Sequence, residues 1–267
     1  AQLRGLSAWL ATLVCAVPLL LGFILPAILL LKMALTEGDA QFGERFLVLA
    51  RNSFVLAGVT ATIAVLLALL MGYGARLSKT AFANGLNRLV GLGYAVPGAV
   101  IAVGVLIPVT RLDNWLAGQW EVWFGHNPGL LLTGGIAALI YAYLVRFLAV
   151  ALHTVESSLA KITPNMDDAA RSLGLGQGET LRRVHIPMLR GSLLTAGLLV
   201  FVDVMKELPA TLVMRPFNFD TLATQAYTLA SDERLAEAST AALAIVAVGL
   251  LPLIALSRQI TAARRRR

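Results

Sequence analysis

The chain has little of what most soluble chemistry uses. One cysteine, Cys15, in 267 residues rules out a disulfide within the chain. Lysine occurs four times, at Lys32, Lys79, Lys161 and Lys206, and never after a glycine. A phosphate loop of the Gly-Lys-Ser/Thr type is therefore absent, and the chain is not an ATPase of that class. Three histidines, His126, His153 and His185, lie far apart and fit no metal-ligand spacing. A hard metal ion would want clustered oxygen ligands, and the polar segments supply no such cluster, so no resident metal is expected. No nucleophile–base set stands out either. Charged residues make up only 14%, where about a quarter is usual for a soluble domain.

What the chain does have is apolar surface: 58% of its residues, with a mean hydropathy of +0.77. That composition reads as an all-α integral membrane protein. The net charge of +7 does not imply nucleic acid, because the cations form no amphipathic or aromatic-interleaved patch. They cluster between apolar segments, as membrane orientation requires. The chain begins at Ala1, not Met, as a processed chain or part of a longer polypeptide would.

A bilayer core of about 30 Å needs about 20 apolar residues in a helix. Charge-poor windows place six spans at about 8–34, 53–76, 87–110, 128–150, 191–214 and 238–258, within one domain over 1–267. A signal peptide is the competing reading of the first window, which is too long and lacks a clear small-residue cleavage site. Trp115, Trp120 and Trp123 read as an interfacial belt, with an aromatic substrate cage as the sharper alternative. With the amino terminus inside, the inner segments hold Arg4, Arg76, Lys79, Arg88, Arg146, Lys161, Arg171, Arg182, Arg183, Arg190, Arg258 and the arginines at 264–267. The outer ones hold only Lys32, Arg45, Arg51, Arg111, Arg215 and Arg234. This bias puts both termini in the cytoplasm.

The polar stretch at 160–190 lies on that inner side. Thr163 and Pro164 suit a helix start. Met166, Ala169, Ala170 and Leu173 then recur at helical spacing. Gly174 and Gly176 permit a left-handed corner, and a second short helix is expected over 179–186, stopped by Pro187. The skeleton is Asp168-Ala169-Ala170, three residues, Gly174, nine residues, then Val184-His185-Ile186-Pro187. It resembles the EAA loop of the membrane subunits of ABC importers, with Asp168 in place of the motif's Glu, Val184 in place of Ile and Ile186 in place of Leu. The resemblance implies that Asp168, Ala169, Ala170, Gly174, Val184, Ile186 and Pro187 couple the chain to a separate ATP-hydrolysing subunit. A helix-turn-helix with no partner is the plain alternative.

The fifth window alone carries internal charge. Asp203, Lys206 and Glu207 fall at i, i+3 and i+4, an arc about 100° wide on a helix. Each would cost about 2.5–3.5 kcal/mol facing lipid at a helix centre, so the arc should face protein or water. Lys206 can pair with Asp203, which leaves Glu207 needing a partner, and Pro209 is expected to bend the helix. The arc reads either as the lining of a translocation path whose acidic excess attracts a cation, or as an ion-pair lock. An intramembrane enzyme using Asp203 and Glu207 as paired acids is the remote reading. Near the outer surface, Asp220 can cap a helix over 221–230, beside the charges of 232–237.

The segments 206–227 and 93–106 extend the resemblance to the ferric iron branch, in particular the carboxy-terminal half of fused iron permeases. Thiamine, polyamine and other permeases are related. The resemblance implies a six-helix fold of the type I importer (MetI-like) class and a location in the bacterial inner membrane. Its partners would be an ATPase dimer, a periplasmic binding protein, a second permease half and the lipid bilayer, with no nucleic acid. ATP and magnesium would sit on the ATPase, leaving no cofactor in this chain.

Overall fold

The computed structural model describes residues 5–36, 43–78 and 80–265, without the side chains of 253 and 255–265. Arg4, Lys79, Arg266, Arg267 and the side chains of Arg258, Arg264 and Arg265 from the orientation count lie outside that description. Six helices among the described residues are long and apolar enough to span a bilayer. In chain order the helices are α1 (Leu6–Thr36), α2 (Glu44–Ser78), α3 (Ala81–Gly91), α4 (Gly98–Phe124), α5 (Ala137–Leu159), α6 (Pro164–Ser172), α7 (Gln177–Met205), α8 (Pro209–Met214), α9 (Leu222–Ser231) and α10 (Leu235–Arg265).

The core is the mutual packing of α2, α5 and α7. Along α2, Ala57, Ala61, Ala64 and Ala68 recur at helical spacing and are buried. Small side chains allow backbones to approach closely where lipid supplies no hydrophobic drive. Leu139, Tyr143, Leu152 and Val155 of α5 and Ala196 and Val200 of α7 complete the contact. By contrast, α1 has no buried residue and rests along α10.

The second span, expected over 53–76, starts early, at Glu44, and boundaries of the next three spans are displaced for local reasons. The third span, expected over 87–110, is two helices. Pro97 has no N–H to continue α3, and Val96 before it is forced to extended geometry (φ −80°, ψ 131°). A 3-10 turn, Leu92–Ala95, leads to the break, and α4 then runs on to Phe124. The tryptophans thus sit on a helix, not on a loop. The fourth span, expected over 128–150, begins at Ala137. Pro128 opens the irregular stretch before it, and the fully buried carboxylate of Asp113 on α4 captures the amides of Leu131, Leu132 and Thr133 at 2.7–3.0 Å, with the Thr133 hydroxyl at 2.6 Å. Amides held by a side chain are not free to start a helix.

The fifth span begins early, at Gln177, and ends at Met205. Pro187 does not stop a short helix as expected. A π turn, Leu181–His185, stands just before it, and the same arrangement occurs in α1, where a π turn at Leu20–Ile24 precedes Pro26. A proline ring clashes with the carbonyl four residues back, and widening the preceding turn to i→i+5 pairing moves that carbonyl aside. Pro209 does more than bend the helix: α7 is over before it, and Pro209 opens α8 as a first-turn residue. Thr221, not Asp220, caps α9, in a reciprocal box with Thr224. Asp220 instead pairs with Arg215, and its carbonyl accepts from Asn52 of α2.

Candidate functional site

Two sets of polar side chains stand out from this apolar frame: one where α2, α5 and α7 meet the loop that carries α6, and one inside the bundle.

At the loop, α6 begins after Thr163 with Pro164 in its first turn, although the Thr163 hydroxyl caps nothing. Gly174 adopts φ +82°. The amide of Gly174 donates to Arg171 and that of Leu175 to Ala170, the pair of bonds that closes a helix through a left-handed residue. Gly176 is extended instead (φ −71°, ψ 169°) and caps α7, so the corner is made by Gly174 alone. Asp168 points outward and pairs with Arg171 at 2.6 Å, both largely exposed. Ala169 is exposed and Ala170 buried. Met166 (40% exposed) and Leu173 (81% exposed) join Ala169 as an uncovered apolar strip. Val184 and Ile186 are half-buried at the root of α7, and Pro187 is exposed.

The residue that anchors this loop is the neighbour of the one expected. Asp167 turns inward and accepts from Arg76 Nε and Nη2 at 3.0 and 2.8 Å. Its other oxygen meets Nε2 of the fully buried His185 at 2.6 Å. Arg76 also donates to the carbonyls of Leu159 and Ile162 at the end of α5, at 2.9 and 2.8 Å. Tyr73 donates to the Gln177 carbonyl at 2.9 Å and lies edge-on to the His185 ring. Burial would push the Asp167 carboxyl up, but hydrogen bonds from Arg76 and His185, with the charges of both, outweigh it and hold it below the ordinary carboxylate range. The loop holds His185, 18 residues on from Asp167, but its spacing carries no sign of Arg76, which comes from α2, 91 residues back. Arg76 at the end of an apolar run is the one available hint.

Inside the bundle, Lys206 Nζ lies 2.9 Å from Asp203, as expected. The three-charge arc does not survive, because α7 ends at Met205 and Glu207 turns back toward α5. There Arg146, expected on the inner side, sits mid-helix and donates from Nη1 to both Glu207 oxygens at 2.8 and 2.9 Å. Glu207 is 7% exposed and Arg146 22%. Glu207 also accepts from the Ala210 amide at 3.2 Å, so it caps α8 as well. Thr211 donates to the Glu207 carbonyl and meets the buried Tyr143 hydroxyl. A Cβ on Gly98 would collide with Arg146 Nη1 and Glu207 Oε1, and one on Gly93 with the Val145 carbonyl. Glycine at these two positions is what lets the broken third span close over the pair.

The cluster therefore holds two acids and two cations, with no acidic excess. Each carboxylate has its own cation, so Asp203 and Glu207 are not a shared acid pair. Among the described residues no three of His, Cys, Asp and Glu gather to hold a metal ion.

An all-helical bundle with six candidate spans and a clamped polar loop between two of them is the frame of a multi-span membrane protein. The chain belongs to the binding-protein-dependent transport system inner membrane component family, whose model matches residues 64–267. It is the permease type of ABC importer subunit. It is 28% identical over 222 residues to the Fe(3+)-transport system permease protein FbpB 2 of Haemophilus influenzae, covering 83% of this chain and 40% of that one. The chain thus spans less than half the length of that relative. It is 26% identical over 204 residues to PhnV of Salmonella typhimurium, named for 2-aminoethylphosphonate transport, covering 76% of this chain and 67% of the relative. Among solved structures, a bacterial ABC transporter involved in alginate import superposes with a TM-score of 0.69 at 18% identity, covering 95% and 96% of the two chains. A second structure of an alginate transporter, in complex with its pentasaccharide-bound periplasmic protein, gives 0.66, also at 18% identity. At that identity the likeness speaks for the fold.

Proposed function

We propose that this chain is one permease half of an importer for ferric iron, working with a second half, a pair of ATPase subunits and a periplasmic binding protein. The observation that carries the reading is the loop: a helix fixed on its inner side by Asp167, with Asp168, Ala169 and Leu173 presented on its outer side. That is the form of a surface made to be pushed. The ATPase pair docks on α6 from the cytoplasm, where the lysine and arginine bias puts both termini and the loop, even with Arg146 removed from the inner count. ATP binding draws the pair together, α6 moves with them, and the α2–α5–α7 bundle rocks between inward-open and outward-open states. ATP must bias those two states by a few kcal/mol.

The resemblance in 93–106 and 206–227, and the iron-transport relative, support ferric iron as cargo. The intramembrane cluster gives no separate argument for a cation, since its charges balance. Asp203, Lys206, Glu207 and Pro209, with Arg146, act as a lock at the break between α7 and α8, or line the route beside it. The relative named for 2-aminoethylphosphonate favours a small phosphonate as the second reading. Thiamine and polyamines stay as further comparators. Proteoliposomes holding the complete complex, with the cognate binding protein, decide between them. ATP-driven uptake of radiolabelled ferric iron, with no uptake of 2-aminoethylphosphonate or thiamine, is the expected result. Uptake of the phosphonate alone refutes iron, and uptake without ATPase subunits refutes the importer reading.

A further inference from the structure

We propose that the Arg76–Asp167–His185 cluster is the joint through which motion of α6 reaches the transmembrane helices, with Asp167 as the positioning residue. The proposal rests on the reading of α6 as the ATPase docking helix. Three chain segments meet at one carboxylate, and a fourth is reached through Arg76. Asp167 belongs to α6, Arg76 to the end of α2, and His185 to the π turn of α7. Arg76 in turn binds the carbonyls of Leu159, the last residue of α5, and of Ile162 in the turn after it. The Tyr73 hydroxyl adds a second tie from α2 to the start of α7 at Gln177.

Among the described residues, Asp167 makes the ion pair with Arg76 and the hydrogen bond with His185 that tie α6 to the transmembrane helices. The Asp168–Arg171 pair is internal to α6 and exposed. A push on the outer face of α6 can therefore reach α2, α5 and α7 through charge-assisted bonds, which resist shear better than the surrounding apolar contacts because they are directional. The cluster also divides labour between adjacent residues: Asp168 faces the partner and Asp167 faces the bundle. His185 sits inside a π turn, where the helix has one residue more than an α-helical path needs, so the joint meets α7 at a point that can flex.

The test uses the complete complex in a Cys15→Ser background, with spin labels at Ser172→Cys on α6 and Leu70→Cys on α2. The distance between labels is measured in nucleotide-free and vanadate-trapped states. In the parent protein one narrow distance holds in both states, because α6 and α2 move together. Asp167→Asn and Arg76→Gln each broaden it or make it depend on the state. They also lower ferric iron transported per ATP at least fivefold, while the ATPase subunits stay bound and hydrolyse within twofold of the parent rate. The double variant is no worse than the worse single one. A single narrow distance in both Asp167→Asn and Arg76→Gln overturns the joint. If Asp167→Asn does not fold, Asp167→Glu replaces it: the added methylene displaces α6, and an unchanged distance in both states again overturns the proposal. Leu173→Glu separates the two levels. It should strip the ATPase subunits from the complex, and if they stay bound the docking reading fails, whereas the label distance judges the joint alone.

Discussion

Removing Arg146 should harm this protein more than removing the acid it holds. Glu207 is 7% exposed and Arg146 22%, so the two ends of the pair differ in access to water. Arg146→Met leaves a carboxylate buried in the bundle with only the Ala210 amide nearby. Breaking a buried pair in this way costs about 3–5 kcal/mol, which is roughly a hundredfold or more in the unfolding equilibrium. Glu207→Gln keeps an acceptor for both the amide and the guanidinium and leaves a cation that can reach outward, so about 1–3 kcal/mol is expected. In the double variant the stranded charge is gone, and its stability should recover to above that of Arg146→Met alone. The assay is reversible unfolding in mixed micelles at pH 7 across the four proteins. Additivity of the two single losses to within about 0.5 kcal/mol, the limit for independent sites, would show that the pair is not coupled and refute the reasoning.

Gly93→Ala drives a Cβ into the Val145 carbonyl, which is backbone and cannot step aside; about 1–3 kcal/mol of destabilisation is expected in the same unfolding assay, against little change for Gly104→Ala, where no atom lies within 4 Å. Gly174→Val places a β-branched residue at φ +82°, costing about 1–2 kcal/mol; loss of ATPase subunits on co-purification, or hydrolysis without uptake, is expected, and normal uptake would refute the corner argument. Lys206→Ala leaves Asp203, 12% exposed, without its cation. Because Glu207 is held by Arg146, not by Lys206, the loss should be smaller than for Arg146→Met, about 1–2 kcal/mol; an equal loss would mean the two pairs act as one unit.

Much of this molecule is legible along the chain because its strongest signals are local. Gly174 announces its turn by being glycine at the end of a short periodic run, and the pairing of Lys206 with Asp203 needs only one turn of helix. Prolines are the weak point. Pro97 breaks a span that apolar composition runs straight through, whereas Pro187 sits in a helix that composition would end. A proline's effect depends on whether the turn before it can widen, and that is decided by packing. The partners that matter most are out of reach for a different reason. Arg146 and Glu207 are 61 residues apart, and Arg76 and Asp167 are 91 apart. Nothing in the spacing of one segment specifies which distant side chain will face it. The loop pattern points to Asp168 and not to Asp167, because a motif identifies the residue a partner sees, and not the one that fastens it from behind.

The π turn at Leu181–His185 makes the azimuth of all of α7 depend on a five-residue stretch. Restoring ordinary α-helical pairing there without shortening the chain would swing every later side chain by about 100° and lengthen the path by about 1.5 Å. Phe201 would then leave the edge of Phe54, and Asp203 would face a different neighbour, although no residue had changed. Deleting one residue within the turn would instead leave an ordinary helix with every later side chain in its present direction, so Leu181–His185 is the place where α7 can change length by one residue and keep its contacts.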